Sequence, residues 1–200
     1  MASVDAAQVK QLREATGAGI MDCKRVLAET NGDFDAAVKA LREKGIASAA
    51  KKADRTAGDG GIGVYVHTDG KQAAIVEVNC ETDFVARTDD FKQLCKDLAM
   101  QVVAMRPQYV SREEIPAEVL EAERKIYEAQ AAEEGKPEAI QAKIAEGRLN
   151  KEFYQAVCLM DQPFVKEQKQ TIEQLVKEAI AKLGENIQIK RFVRYKVGEA

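Results

Sequence analysis

A carboxylate and an aromatic ring stand side by side in the octet Cys80-Glu81-Thr82-Asp83-Phe84-Val85-Ala86-Arg87. The apolar run before it, Ala73-Ala74-Ile75-Val76-Glu77-Val78, reads as a strand. Thr88, just after it, is an N-cap candidate whose hydroxyl can accept from a free amide at a helix start. The octet is therefore a short strand-to-helix turn with Asp83 and Phe84 at its tip. On residue type alone the ordinary reading applies: Asp83 is a turn residue and Phe84 is core filling.

Other chemistry is sparse. Nucleophilic catalysis needs an activated Ser or Cys with a base in reach, and His67 is the one imidazole in the sequence. It has no Cys or second His at ligand spacing and reads as a solvated residue at a hairpin end. Cys23, Cys80, Cys95 and Cys158 lie far apart with no C-x-x-C pair, so zinc and dithiol readings both lack a motif. No two carboxylates are singled out as an acid–base pair. Gly17-Ala18-Gly19 follows no strand and is not followed by Lys-Ser/Thr at phosphate-loop spacing. What remains is a protein that acts by binding, calling for no cofactor and no metal ion.

The chain of 200 residues has room for one sizeable core plus a small module. Thirty Lys and Arg against 33 Asp and Glu give a net charge of −3. A phosphate-backbone binder is expected to carry a basic surplus, so the balance argues against direct nucleic-acid binding and for a protein or small-molecule partner. Dispersed cysteines behave as small, reduced apolar residues, which suits a cytosol. No apolar run reaches membrane length, and the N-terminus carries neither a signal-peptide core nor an Arg-rich transit pattern. The expectation is a soluble, cytoplasmic protein without membrane contact.

The elements that must position the octet follow from periodicity. Val9, Leu12 and Ala15 mark one face of a first helix; Ile20, Cys23 and Leu27 give a second the spacing of a buried stripe; Phe34, Val38 and Leu41 stripe a third, with Gly45 as its left-handed cap. Residues 1–55 thus predict a small three-helix bundle, similar to the ubiquitin-associated type. Thr56 to Gly61 reads as a flexible joint opening a core over 56–200. There Ile62, Val64 and Val66 alternate, Asp69-Gly70 suggests a type I′ hairpin turn, and the strand before the octet follows. Phe91, Leu94, Cys95, Leu98, Val102 and Met105 stripe the next helix, which Pro107 closes. Residues 112–152 are rich in Glu, Ala and Lys and predict a helical arm, with Pro116 and Pro137 at first-helical positions. Cys158 to Val165 is an apolar segment broken by a turn. A last helix carries Ile172, Leu175, Val176, Ala179, Ile180 and Leu183, and Ile187, Ile189, Val193, Tyr195 and Val197 alternate in a half-buried third strand. The fold class is α+β: the helical bundle, then a three-stranded antiparallel sheet with helices on one face.

Several stretches coincide with one family. Thr16 to Lys24 (T-G-A-G-I-M-D-C-K), Ala40 to Gly45 (A-L-R-E-K-G), Glu77 to Arg87 (E-V-N-C-E-T-D-F-V-A-R), Glu146-Gly147-Arg148-Leu149, Gln162-Pro163-Phe164-Val165 and the ending from Arg191 to Glu199 resemble elongation factor Ts, in order and over almost the whole chain. The resemblance implies a guanine-nucleotide exchange factor for elongation factor Tu, the GTPase that carries aminoacyl-tRNA to the ribosome. It implies that Thr82, Asp83, Phe84 and Val85 enter the GTPase and help dislodge its magnesium ion. Leu12, Ile20 and Met21 match positions of the family's contact surface with the nucleotide domain. Long members carry two related core halves and this chain has room for one, which implies a homodimer in which a second copy supplies the other half. The competing expectation is an adaptor whose bundle binds a protein partner and leaves nucleotide release unchanged.

Overall fold

The computed structural model describes residues 5–199. The chain runs α1 (Ala6–Thr16), α2 (Ile20–Glu29), α3 (Phe34–Ala50), β1 (Asp59–Val66), β2 (Gln72–Cys80), α4 (Asp83–Ala86), α5 (Asp89–Met105), α6 (Ala117–Glu133), α7 (Glu138–Arg148), α8 (Tyr154–Val157), β3 (Pro163–Phe164), β4 (Glu167–Thr171), α9 (Ile172–Leu183) and β5 (Gln188–Lys196). It divides into two compact units. The first takes the residues up to 61 with 78–94 and 174–188; the second takes 62–77, 95–173 and the residues from 189 on. The N-terminal helices thus share a unit with the octet and most of α9, beyond the boundary at residue 55 that composition suggested.

In the first unit, Asp5 and Asp33 accept from the Ala7 and Ala36 amides, satisfying donors that a helix start leaves free. Val9 and Leu12 of α1, Cys23, Val26 and Leu27 of α2, and Ala37 and Leu41 of α3 form one core. Helices of this length do not persist alone in water, so that shared burial is what holds them. Gly45 is not a cap. Helix α3 runs on to Ala50, and a Cβ at Gly45 would stand 3.0 Å from the Ala181 Cβ of α9, so the glycine serves a close helix approach. Arg42 is paired with Glu178 at 2.6 Å along the same contact.

The sheet order is β1-β2-β5. The hairpin closes through His67 N–H to the Gln72 carbonyl and Gly70 N–H to the His67 carbonyl. Within the loop only Gly70 has positive φ, at 67°, so a four-residue loop stands where Asp69-Gly70 suggested a two-residue type I′ turn, which needs two such residues. Strand β5 lies antiparallel to β2: Val197 N–H reaches the Lys71 carbonyl, Arg194 the Gln72 side chain, and Arg191 the Glu77 carboxylate. Asp59, Gly60 and Gly61, expected in a flexible joint, already belong to β1.

Along β2, Ala74, Val76, Val78 and Cys80 are buried, as are Phe91, Leu94, Cys95, Leu98, Ala99, Val102 and Val103 of α5. The outer strands depart from expectation. Their apolar alternation, Ile62, Val64 and Val66 on β1 and Val193, Tyr195 and Val197 past it on β5, is exposed, as is Ile75 of β2. Gly63 and Arg194, at alternate positions, turn toward α5.

The arm is the pair α6 and α7, turned at Gly135 with φ 73°. Pro116 and Pro137 sit one residue before each helix rather than inside it. At the base, Tyr127, Ala145, Leu149, Tyr154, Val157 and Cys158 cluster, and Leu149–Phe153 winds as a π-helix. Arg112 joins the arm to its base: its Nε donates to the two Asp161 oxygens at 2.9 and 3.1 Å and its Nη2 to Oδ1 at 2.5 Å. The guanidinium also donates to Asn150 at 2.9 Å and lies 4.2 Å from the Tyr154 ring centroid. The β3–β4 hairpin, unread in the sequence, is held by two fully buried amides. Gln101 donates to Gln162 and to the Pro163 carbonyl and accepts from Val165 N–H, while Gln162 donates to the Met105 and Ala156 carbonyls. Burial without such partners costs a few kcal/mol, so the motif Gln162-Pro163-Phe164-Val165 is tied to one conformation. Among the described residues no helix is long and apolar enough to cross a membrane.

Gly63 is the tightest point of the sheet–helix contact. A Cβ there would come 2.1 Å from the Cys95 carbonyl oxygen, a backbone atom of α5 that yields only if the helix moves. Gly63→Ala is expected to lower unfolding free energy by about 1–3 kcal/mol in urea titration, whereas Gly58→Ala, with open space around it, leaves the midpoint unchanged. Equal midpoints for the two variants would contradict this packing.

Candidate functional site

The octet is built as a strand running straight into a short helix. Strand β2 ends at Cys80, Thr82 holds extended backbone (φ −135°, ψ 157°), and α4 makes a single turn from Asp83. Thr88 then restarts the chain: its hydroxyl accepts from the Phe91 amide at 3.3 Å, capping α5 as its position in the sequence suggested. The same hydroxyl donates to the Val85 carbonyl at 2.8 Å, tying the end of α4 to the start of α5.

Phe84 lies in water. Its side chain is 80% exposed, so the core-filling reading is overturned: the single turn of α4 directs the ring outward while Val85 and Ala86 take the half-buried side. Thr82 is exposed and Asp83 half-buried, with its carboxylate 2.7 Å from the Arg87 guanidinium four residues on. That solvent-facing pair is electrostatically modest, and it occupies one side of the carboxylate.

What anchors the turn is a pair of carboxylates. Glu185, in the loop between α9 and β5, accepts from the Glu81 amide at 3.1 Å, the Thr82 amide at 3.0 Å and the Thr82 hydroxyl at 2.6 Å. Glu81 answers by accepting from the Asn186 amide at 2.7 Å and pairing with Arg55 at 3.5 Å. Asn186, itself buried, donates to the carbonyls of Ala53 and Arg55. Thr82 makes no side-chain cap to α4; its hydroxyl is turned to Glu185 instead. Burial raises the Cys80 thiol, and the neighbouring Glu185 charge raises it further, so the thiol stays protonated and donates to the Thr82 carbonyl at 3.2 Å.

The other sequence-selected positions separate. Ile20 and Met21, on the first turn of α2, are 56% and 73% exposed. Leu12 is fully buried between the three N-terminal helices and offers no surface, a correction to its expected place beside them. Its i, i+3 relation to Val9 puts it on the inner stripe of α1. Ile20 likewise leaves the buried stripe expected for it; Val26 takes its place inside. His67 is half-buried rather than solvated, its Nδ1 3.4 Å from the Tyr65 hydroxyl. Glu81, Glu185 and Asn186 had no local sequence signal, since their partners lie about a hundred residues away.

The fold and site describe an α+β protein that presents a free aromatic ring on a turn pinned from both sides. Residues 5–199 match the family described as Elongation factor TS. The chain is similar to the elongation factor Ts of Herpetosiphon aurantiacus, 59% identical over 98% of this chain and 98% of that protein. It is also similar to those of Heliobacterium modesticaldum and Geobacter sulfurreducens, each 55% identical over 98% of this chain and 91% of theirs. The chain belongs to the elongation factor Ts family, translation elongation factors that serve protein biosynthesis.

Proposed function

We infer that this protein is a guanine-nucleotide exchange factor that binds elongation factor Tu·GDP, helps displace magnesium and promotes GDP release in the cytoplasm. The observation that carries the reading is Phe84, a large apolar ring in water on a polar-anchored turn, in a chain of the elongation factor Ts family. A ring left exposed at a fixed position is suited to filling a pocket on a partner, where a stiff aromatic buries much area at small entropic cost. Asp83 accompanies it and perturbs the magnesium site through its negative charge or its hydrogen bonds. Residues 1–55 are the docking module, with Ile20 and Met21 as the contact pair.

The mechanism needs no covalent step. An exchange factor must bind the nucleotide-free GTPase better than the nucleotide-bound one, and the coupling is reciprocal: whatever it takes from nucleotide affinity, nucleotide takes from its own. A nanomolar nucleotide is held by about 12 kcal/mol, a substantial part of which the protein–protein contact must offset in the intermediate.

The second half of the reading is a homodimer. Its support is the outward face of the sheet, where Ile62, Val64, Val66, Ile75, Val193, Tyr195 and Val197 form one apolar surface on three strands. Contiguous apolar exposure of this kind marks an interface, and a second copy presents a face of the same chemistry. Sedimentation at tens of micromolar is expected to give a dimer, and Val64→Asp a monomer; a wild-type monomer would remove this half of the proposal.

The exchange reading is tested by a paired measurement on Phe84→Ala. Exposed as it is, the ring contributes about 0.5 kcal/mol or less to stability, so melting stays near wild type. Release of labelled GDP from elongation factor Tu at limiting factor is expected to slow at least about tenfold, the scale of an interface hot spot. No acceleration by the unmodified protein would leave the adaptor reading standing instead, and wild-type release by the variant would remove the ring from the exchange step.

A further inference from the structure

We propose that Glu185 is a positioning residue for the exchange tip, acting through the backbone of Glu81 and Thr82 to hold Phe84 at one place and angle. The proposal rests on the exchange reading above and adds to it a residue outside the octet. Three observations carry it. One Glu185 oxygen takes both consecutive amides at the strand–helix junction while the other takes the Thr82 hydroxyl. These are the last two residues before α4, the point from which any backbone rotation is carried into the direction of the ring. A four-residue helix has no stability of its own to resist that rotation. The third is that the contact is mutual: Glu81 fixes the Glu185 loop by accepting from the next amide, Asn186 N–H, whose side chain is fastened to the Ala53 and Arg55 carbonyls.

Two carboxylates thus grip each other's backbones. Charge-assisted bonds to amides are stronger than neutral ones, and the arrangement aligns the two loops as a double latch. The geometry requires the Glu185 side chain to accept at two amides, but not to be charged. In Glu185→Gln the amide oxygen can take the two N–H groups while its NH2 donates to the Thr82 hydroxyl, which turns from donor to acceptor. Glu185→Ala removes all three contacts. A ring that is no longer pre-aligned docks at an entropic cost, and the loss falls on the step in which it enters the GTPase.

The test uses full-length wild type, Glu185→Ala and Glu185→Gln, with Phe84→Ala as reference. Amide hydrogen exchange is read on the free protein, and GDP release is followed over a range of factor concentrations. For Glu185→Ala the expected result is at least about tenfold loss of protection at the Glu81 and Thr82 amides, with Val76 and Leu98 unchanged. Maximal GDP release is expected to fall at least about fivefold while the half-saturating concentration stays within about twofold, and Glu185→Gln restores both within about threefold. Release by Glu185→Ala at the wild-type maximal rate, when Phe84→Ala is impaired, overturns the positioning role. So does protection lost alike at Val76 and Leu98, which would make the residue merely structural. If neither Phe84→Ala nor Glu185→Ala alters release, the ring's role in exchange fails and the positioning role with it. Absence of acceleration by the wild type is what would remove the exchange reading itself; protection at Glu81 and Thr82 still decides whether the latch exists.

Discussion

A phenyl ring standing in water cannot hold itself in place. Leaving a Phe side chain exposed forgoes the roughly 1.5–3 kcal/mol that its burial would contribute, and nothing about the ring fixes its direction. Everything that orients Phe84 must come from the backbone beneath it. That backbone is clamped at three points: β2 before the turn, the Thr88 cap of α5 after it, and the Glu185 carboxylate from the side. The buried thiol of Cys80 adds a bond to the Thr82 carbonyl. The turn is therefore rigid for reasons of polar satisfaction, and its apolar payload is free to be used elsewhere.

The two compact units carry different surfaces. The first holds the tip together with Ile20 and Met21, exposed on the helical module whose own core is closed by Leu12 and its neighbours. The second holds the outward sheet face, with Gly63 admitting α5 so closely to the opposite face that the sheet has no room to invert its pattern. In the proposed function, the first surface meets the GTPase and the second meets a further copy of the chain. Neither needs an activated nucleophile or a bound ion, because differential affinity for two states of a partner is enough to shift its population.

Periodicity and capping carried much of the architecture. The N-terminal helices, the β1–β2 hairpin, the third strand, the Thr88 cap and the arm all follow from local signals in the sequence. Side-chain direction was less legible. Apolar alternation on β1 and β5 says that one side of each strand is apolar but not which side faces the helices, and the apolar side faces out. Gly45 has the residue type of a cap, yet its use is set by Ala181, far along the chain. Leu12 matched a contact position by resemblance, while its 3.6-residue register with Val9 already placed it inside. Phe84 read as core on residue type alone, and the family resemblance reversed that expectation. The Glu81–Glu185 latch and the Gln101–Gln162 pair depend on tertiary proximity and leave no spacing to read.

An exchange tip must discriminate between two states of the GTPase. The most direct measurement is calorimetric affinity of this protein for elongation factor Tu, nucleotide-free and saturated with magnesium GDP. Linkage predicts binding weaker by at least about tenfold in the presence of GDP, matched by an equal loss of GDP affinity when the protein is bound. It also predicts that Phe84→Ala narrows that difference. Equal affinity for the two states would contradict the account, since a ligand that binds both alike shifts neither.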